Sequence, residues 1–559
     1  SSVLAPQTSP QHWPVPAHLK DNRHVMAEAT VMTAPTLLTN PTGSADLKSE
    51  GDTVTGETIA VKKEAAEEAK VPTRLMLFLL CAVSALEGAD TALLPAAMLA
   101  LQKDVGLKFT DLAYLNVAEA VCVNLAAPLW GILADRGAVS RRKILIIGSL
   151  GQGAVTVMLS VITALGPMVF LRALNGIMLS ALRPISNGII ADSTSSSQQG
   201  KIFGRVQASL LLGMFVTTLT AVPMANKEIW NIQGWRVAFV LIGSLSVVVS
   251  GLVGCFFVEP PRPQGAEGAG PAKKGFGVVL EEILMLLRFL RIPSFGVMIM
   301  QGIFGTIPWS VMGNMTLFFQ LSGQSDTSAA VLSAEGTVAG VFGNLLGGMV
   351  ADALTRRFGL HGRPLNAQIT VAIGIPIMYL IFMGIPPGEG SFAGYFFLIA
   401  GFGLFGSWAQ SGTNFPVLAS IVPANCRSKV MAWECALENS IANALGPPVV
   451  ALLATKCFGY KFGEEEKSGK SIASAEALGQ AMTSVICFPA MICFFAYSLL
   501  HWSYPRDIRR LQQKQQQQEA EAAELKIRAT ASSSSSISSS VHQLSPKVAG
   551  MDEAVITSI

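Results

Sequence analysis

The sequence predicts an all-α polytopic membrane protein with 12 transmembrane helices arranged as two six-helix bundles. Three observations predict it. Half of the 559 residues are apolar and only 14% are charged, against about 25% charged in a soluble domain, and the mean hydropathy is +0.47. The apolar residues gather in runs of roughly 20 to 25, enough for a helix rising 1.5 Å per residue to cross about 30 Å of hydrocarbon. These runs form two sets of six with a polar stretch between them. The composition excludes an ordinary cytosolic enzyme. No phosphate loop, metal-ligand spacing or nucleophile with a paired base occurs, so neither enzyme activity nor a cofactor or metal is expected.

The first set covers residues 75–101, 112–134, 144–165, 168–191, 202–224 and 237–258, and the second 295–321, 328–354, 367–385, 394–422, 430–453 and 478–500. Charges, Gly or Pro bound each run. The organisation read from them is an amino-terminal tail (1–74), a first bundle (75–258), a linker (259–294), a second bundle (295–500) and a low-complexity carboxyl tail (501–559). Residues 278–290 mix Glu281, Glu282 and Arg288 with Leu and Ile at helical spacing, as an amphipathic surface helix or a simple tether between the bundles would. Both tails are polar, and the second runs through Gln515–Gln518 and Ser532–Ser536, so both are expected to be mostly disordered.

A net charge of +3 is nearly neutral for this length, and no basic face suits nucleic acid. The eight cysteines are scattered without metal-binding spacing and read as packing or lipid-facing residues. Residues 1–74 lack the short apolar core of a signal peptide, so the first span is expected to target itself. Arg136, Arg141, Arg142, Lys143, Lys201, Arg205, Lys273, Lys274, Arg288, Arg291, Arg356, Arg357, Arg363, Arg427 and Lys429 fall in alternate loops. The positive-inside rule makes those loops cytoplasmic, and with them both termini. Which membrane holds the chain is left open.

The halves are also related in sequence. Ala118-Glu119 through Gly131-Ile-Leu-Ala-Asp135, followed by Arg141-Arg142, is matched by Ala334-Glu335 through Gly348-Met-Val-Ala-Asp352, followed by Arg356-Arg357. A parallel six-helix repeat is known from transporters whose substrate site lies near the midplane between the repeats. Gly131-Ile-Leu-Ala-Asp135-Arg136 with Arg141-Arg142-Lys143 resembles the loop-2/3 signature of the major facilitator superfamily. Arg172-Ala-Leu-Asn-Gly176, Gly234-Trp235-Arg236-Val-Ala-Phe239 and Glu259-Pro-Pro261 resemble further motifs of that family, and the likeness spans about residues 75–500. The first copy carries two extra residues between Asp135 and its paired arginines, and the second lacks the Arg directly after Asp352. The fifth span lacks the repeated glycines of the drug-antiporter branch, which speaks against a multidrug antiporter. The spacing from Arg172 to Asp192 also resembles the Spinster-like branch of lysolipid carriers, although the acid that branch places seven residues after the Arg is Leu179 here.

A carboxylate at a helix end can face the positive amino terminus of a neighbouring helix and pair with loop arginines. Asp135 is expected to do so against the eleventh span near Val430, and Asp352 against the fifth near Ile202. Gly131, Asp135, Arg136, Arg141, Arg142, Arg172, Gly348, Asp352, Arg356 and Arg357 then form a gating motif, the alternative being a surface charge cluster.

Ionisable residues inside spans mark pathways. Glu87 and Asp90 lie roughly 18 and 22 Å into the first span and share a helix face, and Arg183 lies roughly 22 Å into the fourth. Arg183 is expected to neutralise one acid and leave the other to titrate or bind solute, unless the three form a static salt bridge. Arg172 is placed near the outer boundary, where it can also snorkel to the interface. Glu119, Glu335 and Glu438 are candidate proton carriers or packing residues. In the second half Trp309, Asn314, Gln410 and Asn414 offer an aromatic and amides near helix kinks, suited to a polar solute or to interhelical hydrogen bonding.

The reading is a secondary active transporter of a small polar organic solute, working by alternating access as a monomer in the lipid bilayer. An anionic solute and proton coupling both stay open. The alternatives are a Spinster-like lysolipid carrier and, from another class, a receptor or scaffold on the same fold.

Overall fold

The computed structural model describes residues 74–135, 139–194, 196–259, 284, 287–422, 427–461 and 472–537. The amino-terminal tail and most of residues 260–286, including Glu281 and Glu282 of the amphipathic stretch, lie outside them, as do Arg136 and the side chain of Asp135.

In the first half the helices are α1 (Arg74–Asp104), α2 (Phe109–Asp135), α3 (Arg141–Leu159), α4 (Leu165–Leu179), α5 (Leu182–Ser193), α6 (Ser196–Ala225) and α7 (Gly234–Phe256). α4 and α5 are one span, interrupted at Ser180 and Ala181 just before Pro184, which has no N–H to donate back to the preceding turn. The fourth span begins at Leu165, so its link to the third is 160–164 and Gly166-Pro167 already lies within the helix. A two-residue hairpin, β1 (Glu228–Ile229) with β2 (Ile232–Gln233), joins α6 to α7. Its turn residues Trp230 and Asn231 both have positive φ, 52° and 59°, as a type I′ turn demands.

The second half comprises α8 (Pro293–Ser310), α9 (Met315–Leu321), α10 (Asp326–Phe358), α11 (Gly362–Tyr379), α12 (Phe392–Gly406), α13 (Phe415–Ile421), α14 (Arg427–Leu452) and α15 (Ile472–Ile537). Among the described residues 10 segments are long and apolar enough to cross a membrane. One of them, Asp326–Gly384, contains both α10 and α11, turned at Gly359 with φ 59°. α14 stands outside the set because Glu438, Asn439, Asn443 and Pro447-Pro448 dilute its apolar residues, yet it packs along α2 and α8 as a spanning helix does. The helices thus accommodate the 12 expected spans.

Of the carboxyl tail, residues 501–537 are described, and they are helical where disorder was expected. α15 leaves the membrane and continues without a break to Ile537, because the Gln-, Glu- and Ala-rich stretch consists of strong helix formers.

Three apolar cores hold the helices. One draws on both halves, from Leu93–Leu101 and Phe239 to Phe318, Tyr395 and Ile486, and lies at the end away from the basic loops. The other two lie at the basic end and belong to one half each: Met76, Ile144, Ile189 and Val253 in the first, Phe295, Ala367, Leu418 and Leu500 in the second. Polar contacts join the halves at the shared end. Asn226 Nδ2 donates to Asp326 Oδ1 at 3.0 Å, Tyr460 Oη donates to Gln102 Oε1 at 3.2 Å, and the Tyr460 ring lies 5.2 Å from that of Phe109.

Candidate functional site

Glu87 is positioned by a backbone-to-backbone contact. A side chain at Gly88 would strike the carbonyl of Leu210 on α6, and one at Gly213 would strike the carbonyl of Ala85 on α1. Only glycine permits that approach, and it sets Glu87 beside the fifth span. Arg183, just past the break between α4 and α5, meets it there. Its Nε donates to Glu87 Oε1 at 3.0 Å and Nη2 lies 2.8 Å from the same oxygen. The acid side chain is 8% exposed and the guanidinium 59%, because Arg183 reaches into a cavity of about 300 Å³ whose lining includes Ser84, Ser186, Asn187 and Gln207. Phe203, Val206 and Leu210 complete a lining that mixes polar and apolar groups and lies at the basic end.

Asp90 does not share that cavity. It is fully buried, with Thr156 Oγ1 donating to Oδ1 at 2.6 Å and Asn175 Nδ2 to Oδ2 at 2.7 Å. Arg172 is buried as well and forms an ion pair with Glu119, so the guanidinium neither snorkels nor joins the loop arginines. The side chains of Glu119 and Glu335, at matching positions in the two halves, differ in surroundings: both oxygens of Glu335 are shielded and without a hydrogen-bond partner.

In the second half Glu434 and Glu438, one turn apart on α14, are both buried. Gly302 on α8 lies directly against the Glu438 carboxylate. Tyr497 Oη donates to Asn414 Oδ1 at 2.8 Å, and Asn414 Nδ2 to Gln410 Oε1 at 3.0 Å. The amide pair sits in a π-helical turn, Gln410–Asn414, ahead of Pro416. Trp309, 49% exposed, packs instead on Phe402 at 5.4 Å, about two turns before Gln410. Asn314 is buried in the 3-10 turn that separates α8 from α9.

At the basic loops, Arg141 pairs with Asp192 at 2.5 Å, and Glu259 accepts from the backbone N–H of Arg141 at 3.1 Å and of Arg142 at 3.4 Å. The carboxylate that caps this helix start thus comes from the end of the sixth span. The Arg142 guanidinium bonds the Gly254 carbonyl. Asp352 is 62% exposed and meets Arg363 of its own half at 3.5 Å; Arg356 and Arg357 are exposed. Gly131 and Gly348 have open space where a side chain would go. Thr156, Asn175 and Tyr497 were not singled out as site residues from sequence, and Asp192 entered only through its spacing from Arg172. Asn175 lay within a quoted motif, whereas Thr156 and Tyr497 carry no local signal.

The family model described as Major Facilitator Superfamily matches residues 80–447. The multi-drug resistance efflux pump PmrA of Streptococcus pneumoniae serotype 4 is 29% identical over 209 residues, 37% of this chain and 50% of that protein. The multidrug resistance protein MdtG of Escherichia coli is 30% identical over 135 residues, 24% of this chain and 30% of that one. The chain therefore spans about half the length or less of these curated relatives. Among solved structures, an inward-facing, unoccupied bacterial homologue of the human lysosomal transporter Spinster superposes with a TM-score of 0.63, at 19% identity, over 78% of this chain and 99% of that one. The nucleoside transporter NupG gives 0.56 at 12% identity over 76% and 99%. These likenesses show the fold.

Proposed function

This chain belongs to the major facilitator superfamily, a family of non-enzymatic carriers, and we propose that it moves a small polar organic solute by alternating access coupled to protons. The cavity built around Glu87 and Arg183 carries the reading. With the basic loops on the cytosolic side, the core shared by the halves lies at the outer face and the two separate cores at the inner face. The conformation is then inward-facing.

Charge decides between the solute classes. Within the given span ranges, the described residues include seven acids, Glu87, Asp90, Glu119, Glu335, Asp352, Glu434 and Glu438, and three guanidinium groups, Arg172 and Arg183, each paired with an acid, and Arg205. An anion entering the cavity would have to displace Glu87 from Arg183, whereas the excess of acids over guanidinium groups in the spans as a whole attracts protons or a cationic group. This favours an amine-bearing or neutral polar solute over a carboxylate, with protons as the coupled ion.

Counterflow into proteoliposomes, with a metabolite panel sorted by charge and an imposed pH gradient, tests it. The expected result is saturable flux of cationic or neutral polar solutes, stimulated by the gradient and reduced in Glu87→Gln. A lipid carrier is the second reading, favoured by an apolar groove of about 640 Å³ between α14 and α15, with Leu445, Val449, Phe488 and Met491 at its lips and Ile307 in its floor. Lysolipid flux without polar-solute flux would establish that reading and reject the first. The drug efflux named for the curated relatives enters the same panel as amphipathic cations.

A further inference from the structure

We propose that His361 and His501 form a binding site for a divalent transition-metal ion of the zinc type at the basic-loop end of the second half. The two imidazoles come from different elements, His361 from the turn between α10 and α11 and His501 from α15. Their Nδ1 atoms stand 3.2 Å apart, with ring centroids at 5.4 Å and planes inclined by 17°. The rings therefore meet nitrogen to nitrogen.

A chain of hydrogen bonds fixes which nitrogen of His501 is bare. Ser498 Oγ donates to the Phe494 carbonyl at 3.3 Å and accepts from Gln368 Nε2 at 2.7 Å. That turns Gln368 Oε1 toward His501 Nε2, 2.9 Å away. A carbonyl oxygen only accepts, so Nε2 carries the proton and the neutral ring presents its Nδ1 lone pair to His361. In metal sites a ligating imidazole is held in this way, its far N–H bound to a carbonyl that sets tautomer and orientation.

The spacing fits an ion between the rings. Two nitrogens at 2.0–2.1 Å from one tetrahedral ion stand about 3.3 Å apart. Without an ion, His361 Nδ1–H donates to His501. With one, the proton of His361 moves to its Nε2, which the exposure of that ring leaves open to water. Imidazole nitrogen favours zinc, copper or nickel over magnesium or calcium. Among the described residues no third His, Cys, Asp or Glu completes a cluster, so water fills the remaining positions and the ion is exchangeable. Bound, it would tie the turn that opens the ninth span to the stretch of α15 that leaves the membrane.

The test is titration of the purified full chain, its thiols first alkylated, with Co²⁺ followed by visible absorption and with Zn²⁺ by calorimetry. One site is expected in the wild type. It should be lost in His361→Ala and in His501→Ala and weakened about tenfold in Gln368→Leu, the low end of what an outer partner contributes. Metal-free thermal unfolding of each variant reports whether it is folded. Equal stoichiometry and affinity in wild type and both histidine variants, or no Zn²⁺ uptake by the wild type below millimolar, overturns the proposal.

Discussion

Arg172 and Glu119 form an ion pair inside the first half in which the side chains keep only 3% and 11% of their exposure. One turn along α4 from Arg172, Asn175 donates to Asp90, which Thr156 also holds. One stretch of α4 thus holds an acid from α2 and an acid from α1, and all of them sit apart from the cavity that Glu87 and Arg183 line.

This arrangement predicts an asymmetric mutational response. Removing the cation alone leaves a buried carboxylate uncompensated, at a cost of about 3–5 kcal/mol, whereas replacing both partners by apolar residues is nearly neutral. Arg172→Met should therefore destabilise the purified protein strongly in thermal unfolding, and Arg172→Met with Glu119→Leu should recover most of the loss. Equal melting temperatures for the single and double variants would show that the pair contributes nothing.

The Gly88–Leu210 and Gly213–Ala85 approaches predict that α1 and α6 tolerate no added bulk beside Glu87. Gly88→Val should cost about 1–3 kcal/mol by overpacking and displace the acid from Arg183, lowering solute flux even where the protein is still folded. Gly131→Val, facing open space, is the control and should leave the melting temperature unchanged.

Much of this was legible in the sequence, and the reasons differ by residue. Spans and repeat are written in hydropathy and in Gly131 to Asp135 against Gly348 to Asp352, since lipid permits few backbone solutions. Mid-membrane acids stand out because each is expensive. Their partners were harder to find. Glu87 and Asp90 share a helix face, yet one meets Arg183 and the other Thr156 and Asn175, a division set by how α3 and α4 pack around α1. Glu119 and Glu335 occupy equivalent positions, but only the first half supplies an Arg172. α3 has a local cap in Ser140, whose Oγ accepts from Lys143 N–H at 3.4 Å, but the carboxylate at its start comes from Glu259, 118 residues beyond Arg141, and no local pattern announces that contact.

The polar contacts at the end shared by the halves predict a latch. Breaking the Asn226–Asp326 bond by Asn226→Leu and the Gln102–Tyr460 bond by Tyr460→Phe removes two hydrogen bonds of about 1 kcal/mol each. Together they should shift the balance of states roughly thirtyfold toward opening at that end. Spin labels at Lys227 and Lys456, measured by pulsed dipolar spectroscopy, should report a longer-distance population in the double variant. An unchanged distribution would mean that the apolar core alone closes this end.

The start of the carboxyl tail predicts where truncation becomes harmful. α8 begins at Pro293 with no side-chain cap of its own. Asp507 of α15 supplies one from outside, accepting from Ser294 N–H at 2.9 Å and from Ser294 Oγ at 2.7 Å, while buried to 4%. One turn earlier Tyr504 Oη accepts from Ser420 Oγ at 3.1 Å. Losing a capping carboxylate costs about 1 kcal/mol, and leaving buried donors unpaired adds about 1–3 kcal/mol more. Asp507→Ala should therefore lower the melting temperature, with Asp507→Asn intermediate. A stop after Lys514 should leave the melt unchanged, because the side chains that follow it directly, Gln515 to Gln517, are exposed. A stop after Trp502 removes both anchors and should destabilise at least as much as Asp507→Ala. If the two truncations melt alike at the wild-type temperature, α15 beyond the membrane does not hold the seventh span in place.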